Sequence, residues 1–160
     1  MNEQVPIPRG SEPVRAQLAA AGVETRIVVL PDSAHTAKAA ATAIGCPLGA
    51  IASSLLFVID EVPTLVMTSG AHRVDTEVMA RELGAESVAM ANAKQVRSVT
   101  GQVIGGVAPI GHPQPVPTVI DRTLAEFDPI WSAAGHPHTV MALSFEQLRE
   151  LTGGRVISVA

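Results

Sequence analysis

The 160-residue sequence contains one cysteine, one tryptophan, three phenylalanines and no tyrosine. Its single cysteine, Cys46, excludes an intrachain disulfide and fits a reducing cytoplasm. No apolar run approaches the roughly 20 residues that a spanning helix needs. The N-terminus also lacks the basic and then apolar pattern of a secretory signal. These absences predict a cytoplasmic protein with an aliphatic core and no membrane partner.

Basic residues are scarce as well. Eleven Lys and Arg stand against 15 Asp and Glu, which gives a net charge of −4, and only Lys38 and Lys94 are lysines. A broad nucleic-acid surface is normally basic, and a platform for single strands needs aromatic side chains. The composition therefore argues against DNA binding and restricts any contact with nucleic acid to a small, local one.

What remains is typical of one globular domain. Hydrophobic residues make up 47% of the chain and charged residues 16%, and neither an internal repeat nor a low-complexity linker interrupts it. Residues 1–10, with Pro6 and Pro8, predict a loosely ordered N-terminal arm. We expect residues 11–160 to form the single domain.

Helical and strand patterns alternate along the chain. Helices are predicted from Ser11 to Gly22, from Ser33 or Thr36 to Ile44, from Thr76 to Leu83, from Asn92 to Gly101 and from Ser144 to Gly153. Strands are predicted over 26–30, 54–59, 64–68, 87–89, 116–120, 139–143 and 155–159. The turn at 60–63 predicts a hairpin, so the sheet of this α/β fold is mixed rather than all parallel.

A glycine-rich loop is the first candidate site. It runs Gly105-Gly106-Val107-Ala108-Pro109-Ile110-Gly111-His112. Glycine permits close backbone approach and proline stiffens the loop, so main-chain N–H groups could be held against a ligand. The alternative is a surface turn without a partner.

Several familiar catalytic patterns are missing, including a Gly-x-Ser-x-Gly elbow, His-Glu-x-x-His and a phosphate-binding loop. His136-Pro137-His138 lacks a full ligand set, so we predict no metal. Cys46 lies in a helix-ending turn and is interpreted as structural. Asp75 is interpreted as a helix cap, while Arg73 is either solvated or ion-paired, or it contacts a ligand.

Taken together, the motifs resemble the YbaK/prolyl-tRNA editing family of aminoacyl-tRNA deacylases. The resemblance covers about Val14 to Val159. It rests on short segments whose order and spacing are specific: His35-Thr36-Ala37, Ile51-Ala52-Ser53-Ser54-Leu55, Ser69-Gly70 with Arg73-Val74-Asp75, Val96 to Gly101, Gly105-Gly106-Val107 with Pro109 and Gly111-His112, Ala134-Gly135, and Leu151-Thr152-Gly153-Gly154.

This resemblance implies a mixed, strongly curved β-sheet surrounded by helices, with a pocket for the aminoacyl-adenosine end of tRNA. It implies hydrolysis of the ester of a mischarged tRNA without a cofactor, and possible association with an aminoacyl-tRNA synthetase. The implied catalytic positions are Ser53, Gly105 and Gly106, and backbone N–H groups around Gly105 and Gly106 would stabilise the oxyanion. The implied substrate-binding positions are His35, Thr36, Arg73, Pro109, Gly111, His112, Gly135 and His136.

One departure divides the functional prediction. The family pattern at the strand entrance is Ile-x-Lys-Ser-Leu, and this chain has Ser53 in place of the lysine. A serine cannot supply the positive charge of that side chain. The first hypothesis is a free-standing deacylase in which Ser53 holds a water or the ribose. The second is a family member that binds an aminoacyl or nucleotide-like ligand and has lost or changed the reaction.

Overall fold

The computed structural model describes residues 6–31, 33–34 and 36–160. This part of the chain contains five helices and eight strands. The helices are α1 (Glu12–Ala20), α2 (Ala37–Ile44), α3 (Thr76–Leu83), α4 (Ala93–Thr100) and α5 (Phe145–Thr152). The strands are β1 (Val28–Val29), β2 (Ile51–Ile59), β3 (Val62–Ser69), β4 (Val88–Met90), β5 (Thr118–Asp121), β6 (Ile130–Ala133), β7 (Thr139–Leu143) and β8 (Arg155–Ile157). None of these helices is long and apolar enough to cross a bilayer.

Helix ends follow their predicted capping residues. The Asn92 and Ser144 side chains each accept a bond from the third helical N–H, and Gln95 and Gln147 complete two capping boxes. Asp75 caps α3 as interpreted from the sequence. Ser11 is an exception to the capping prediction, because its hydroxyl makes no capping bond and donates instead to Thr139 Oγ1 at 3.3 Å.

The strands form one mixed sheet in the order β1-β7-β6-β2-β3-β5-β8, with β4 pairing with β2. Pairing is parallel between β2 and β6, between β3 and β5, and between β5 and β8. The predicted hairpin is confirmed as β2 and β3, joined at Asp60 and Glu61, whose φ angles are 47° and 69°. Two such positive angles are those of a type I′ turn, which matches the twist of the flanking strands.

Two strands differ from their predictions. The sequence predicts a buried strand over 26–30, whereas β1 is a two-residue edge strand whose Val29 is exposed. The strand β6 is not predicted at all. It pairs antiparallel with the next strand, β7, and parallel with Ile51–Ala52 at the remote start of β2, but its four residues are too few to show a strand pattern in the sequence.

The apolar core lies on both faces of the sheet. The largest cluster includes Ala52 and Leu56 of β2 and Leu65 and Met67 of β3. On the opposite face, Phe57 packs with the residues beneath α3. A third cluster joins Ile51 to the alanines of α2. The alternation along β2 therefore separates the two faces as a period of two requires.

A break in pairing along one side of β2 positions the site. Strand β3 accompanies β2 along its length on one side. On the other side, β6 pairs only with Ile51–Ala52 and β4 pairs only with Phe57–Ile59. Among the strands of the described residues, none pairs with 53–56 on that side.

The predicted division into an arm and a domain stays a prediction. Residues 1–5 of the arm lie outside the described residues, and Arg9–Ser11 form a short 3₁₀ turn. The backbone of Gly10 packs against that of Gly135.

Candidate active site

A cavity of about 370 Å³ opens at the break beside β2. Its walls come from α2, the edge of β2, the end of β4, the start of the glycine-rich loop, β6 and the segment leading into β7. Most of the lining is aliphatic, and no charged side chain is among the described residues that line it. The polar groups that these residues offer are hydroxyls, the Trp131 indole N–H, and main-chain N–H and C=O groups.

Three predicted site residues meet in this cavity. Thr36, Ser53 and Gly105 all line it. Thr36 also caps α2 by accepting a bond from the Ala39 N–H at 3.0 Å, which fixes the start of the helix beside the pocket. His35, another predicted residue, lies outside the described residues.

Gly106 lies next to the cavity but does not face it as an oxyanion donor. Its N–H donates to the Val103 carbonyl at 2.9 Å, and its own carbonyl accepts from the Gly135 N–H at 2.9 Å. The sequence predicts oxyanion donors among the N–H groups around Gly105 and Gly106, and the Gly106 N–H is instead bonded within its own loop. Because Gly106 has no side chain, its loop can pack closely against the backbone of residues 135–137.

The second half of the glycine-rich loop belongs to another part of the surface. Pro109 and His112 line a separate cavity of about 210 Å³, together with Gln17 and Thr152. The Gly111 N–H donates to Gln17 Oε1 at 2.8 Å, which fastens the loop to α1. The loop glycines therefore do not share one cleft, because the chain turns away from the first cavity after Val107.

His112 is held against its own loop. Its Nε2 lies 2.8 Å from the Ala108 carbonyl, so that nitrogen carries the proton in the neutral ring. Burial lowers the pKa of His112 below its usual 6.5, and the bond to Ala108 opposes part of that shift. The neutral ring is therefore favoured near neutral pH.

The segment at 135–138 borders the first cavity through Pro137. Gly135 has a φ of 99° and is buried, with the Gly10 main chain against it. The Nδ1 atom of His136 accepts from the His138 N–H at 3.1 Å, and the two rings meet edge to face at 5.3 Å. Neither Gly135 nor His136 lines the cavity directly.

Arg73 is exposed on the turn before α3 and does not line the cavity. The structure thus brings Arg73 to solvent rather than to the other predicted residues. Cys46 is half-buried beside α2, and burial raises the pKa of its thiol, in agreement with a structural interpretation.

Sequence reasoning missed a polar row on the Ser53 face of the sheet. Ser53 faces Thr68 across β2 and β3, and the Thr68 hydroxyl donates to Asp121 Oδ2 at 3.4 Å. The same carboxylate oxygen lies 2.5 Å from His72 Nε2 and accepts from the Ser69 N–H at 2.9 Å. Asp121 is 1% exposed, so these contacts provide the hydrogen-bond partners that its buried carboxyl group needs. No spacing in the sequence links residues so far apart.

Comparisons with known proteins place this geometry in context. The profile of the family described as "Aminoacyl-tRNA editing domain" matches residues 31–151. A solved structure assigned as a trans-editing enzyme for prolyl-tRNA synthetase superposes with a TM-score of 0.91 and 34% identity, over 96% of this chain and 98% of the other.

Two curated relatives are similar over shorter lengths. EbsC of Enterococcus faecalis, assigned as a Cys-tRNA(Pro)/Cys-tRNA(Cys) deacylase, is 26% identical over 125 residues, which are 78% of this chain and 76% of EbsC. A proline–tRNA ligase of Latilactobacillus sakei is 30% identical over 96 residues, which are 60% of this chain. The match spans only 17% of that ligase.

Proposed function

The chain belongs to the aminoacyl-tRNA editing domain family, as its motifs predict, and we propose that its first cavity hydrolyses the ester of a mischarged aminoacyl-tRNA. The supporting observation is that Ser53, Thr36 and Gly105, from three separate segments matching the family, line one 370 Å³ cavity. The substrate is the acceptor end of tRNA, and the amino acid side chain enters an aliphatic pocket.

The reaction requires little from charged side chains. The oxygen of water bonds to the ester carbonyl carbon, the bond from that carbon to the ribose oxygen breaks, and the ribose oxygen takes up a proton from the water. The products are a free amino acid and uncharged tRNA. Charge develops on the carbonyl oxygen, where hydroxyl or main-chain N–H donors can stabilise it.

Location and association follow from the substrate. Charged tRNA is made and used in the cytoplasm, so the protein acts there beside the synthetase that makes the error. Contact with few phosphates is compatible with the net charge of −4.

The replacement of the family's lysine by Ser53 supports a second candidate function. A cavity with no described charged lining can retain an aminoacyl-adenosine group without hydrolysing it. In this alternative the protein binds the acceptor end and shields the ester.

A panel of mischarged tRNAs separates the two candidates. We expect release of the amino acid from at least one of them. Ala37 and Ala39 provide a matched pair on α2, because both are half-buried and only Ala37 lines the cavity. Ala37→Leu should lower the rate by filling the pocket, while Ala39→Leu should leave it near wild type. Saturable binding of mischarged tRNA without hydrolysis of any member would favour the binding protein.

A further inference from the structure

The edge of β2, rather than one of its faces, is exposed in the first cavity. Six consecutive residues, Ile51–Leu56, line the cavity. Successive side chains of a strand point to opposite faces, so a run of six can border one space only where the strand presents its edge.

Ser54 is the residue whose main chain points across that edge. The Ile51 carbonyl accepts from the Gly70 N–H at 2.8 Å on the β3 side, whereas the Leu56 carbonyl accepts from the Ala91 N–H at 3.0 Å on the other side. Main-chain groups of alternate residues point the same way in a strand. The N–H and C=O of Ser54 therefore point with those of Leu56, into the gap between β6 and β4.

No hydrogen bond joins either Ser54 main-chain group to another described residue across this gap. Main-chain groups that are removed from water need partners, and most of the surrounding lining is aliphatic. The hydroxyl of Ser54 is turned elsewhere, to Met67 Sδ at 3.1 Å. The Ser54 N–H and C=O, a donor and an acceptor on one residue, are thus both open to the cavity, and we call this pair the open rung of the sheet.

Resting on the proposed function, we propose that the aminoacyl group of the substrate completes this rung at Ser54. An aminoacyl ester carries an ammonium and a carbonyl on either side of one α-carbon, as a residue in a strand does. Its ammonium donates to the Ser54 C=O, and its ester carbonyl accepts from the Ser54 N–H. This is the reciprocal pair of bonds that two opposed residues exchange in an antiparallel ladder.

The pairing fixes the direction of the substrate. An antiparallel partner runs from β4 toward β6, so the ester and the ribose point toward the start of β2 and Trp131. Opposed side chains in an antiparallel pair share a face. The side chain of an L-amino acid therefore lies on the Ser54 face, among apolar lining residues of the main core: Leu56, Ala91, Val96 and Val107.

The Ser54 N–H also takes the role that the Gly106 N–H does not fill. It bonds the ester carbonyl in the ground state, and that bond strengthens as the oxygen acquires charge. Recognition of the ammonium by a carbonyl further implies that esters lacking the α-amino group bind poorly.

Binding is tested with two stable amide analogues that differ in one group. They are 3′-deoxy-3′-(L-alanylamino)adenosine and 3′-deoxy-3′-(propionylamino)adenosine, added to ¹⁵N-labelled wild-type protein. We expect the alanyl compound to shift the Ser54 amide signal and to bind about tenfold or more tightly than the propionyl compound, as the loss of a hydrogen bond to a charged group predicts. Equal affinities, or an unmoved Ser54 signal at saturation, overturn the proposal.

Hydrolysis is tested with two variants at one position. Ser54→Pro removes the main-chain N–H, and proline is tolerated where a strand N–H has no ladder partner. Ser54→Ala removes the same hydroxyl and keeps the N–H, so it is the reference. We expect kcat/KM of Ser54→Pro to be about a hundredfold below that of Ser54→Ala, the usual effect of deleting one oxyanion donor. Similar values in two folded variants contradict the proposal.

The two proposals can fail separately. If the wild-type protein hydrolyses a mischarged tRNA but the Ser54 amide signal does not respond to the analogues, the proposed function stands and the pairing of the substrate with Ser54 is rejected. A Ser54 shift that depends on the ammonium, without hydrolysis of any mischarged tRNA, supports the rung and rejects the deacylase. If neither compound moves the Ser54 signal and no tRNA is hydrolysed, both fail.

Discussion

Gly106 packs directly against the main chain of His136. A β-carbon placed on residue 106 would lie 2.5 Å from the His136 carbonyl carbon and 2.6 Å from the Pro137 nitrogen. Both of those atoms belong to the backbone, so neither can rotate away. The glycine permits the contact that holds the loop against Pro137, which is itself part of the cavity wall.

Gly106→Ala should therefore weaken the fold and not only ligand binding. Overpacking against backbone predicts a loss of about 3 kcal/mol in the free energy of unfolding, measured by urea titration. Gly22→Ala is the control, because Gly22 has a φ of 70° and open space around it. Its cost is backbone strain alone, about 1 kcal/mol. Equal losses in the two variants would show that the 106–136 contact is easily relieved.

Ser53→Lys should raise deacylation of some mischarged tRNA above wild type. Ser53 lines the cavity and is half-buried, so a lysine there restores a cation at the strand entrance that the family pattern carries. Ser53→Met adds a similar length without charge and is the control. Rates that are unchanged across the panel, with both variants folded, would mean that the pocket differs from the family by more than this position.

Stability should fall below about pH 6.5 partly because of His112. Burial lowers the pKa of His112 in the folded state below the 6.5 of the unfolded chain. The unfolded chain then binds more protons as the pH falls through that value, so unfolding is favoured there and stability returns as the pH rises. Measured from pH 5 to 8, the free energy of unfolding of His112→Gln should vary less than that of wild type. Parallel pH profiles would assign the effect to other groups.

Asp121→Asn should destabilise the sheet where β3 and β5 end. The Asp121 carboxylate accepts from the Ser69 and Thr123 N–H groups at 2.9 and 3.0 Å and contacts His72. The Asn amide has one acceptor oxygen where the carboxylate has two, so it can replace only some of these hydrogen bonds. Leaving a buried donor unpaired costs about 1–3 kcal/mol. Thermal unfolding measures the loss. Arg122→Gln, an exposed neighbour, should change the melting temperature little, and a similar fall in both variants would refute a specific role for the carboxylate.

Local features of the fold were predictable because their causes are local. The capping boxes at Asn92 and Ser144 join residues three apart, so the sequence displays both partners at once. The hairpin likewise joins neighbouring segments. β6 was missed although it pairs locally with β7, because its four residues are too few to show a strand pattern and its second partner, Ile51–Ala52, is remote in the chain.

The site was predicted less well, because its contacts join segments that are remote in the chain. Gly106 and Gly111 look alike in the sequence, yet one packs on His136 and the other binds the Gln17 side chain. Nothing in the sequence marks Ser54 as a site residue, because its open rung results from the gap between the parts of β2 that pair with β6 and with β4. Composition and spacing cannot report such an interruption.

The described residues that line the first cavity extend along the sequence from Leu30 to Val140. During synthesis, a ribosome-bound chain that has not yet released residue 140 lacks part of the pocket, however well its first hairpin has formed. The cavity wall is therefore complete only after most of the chain has been synthesised.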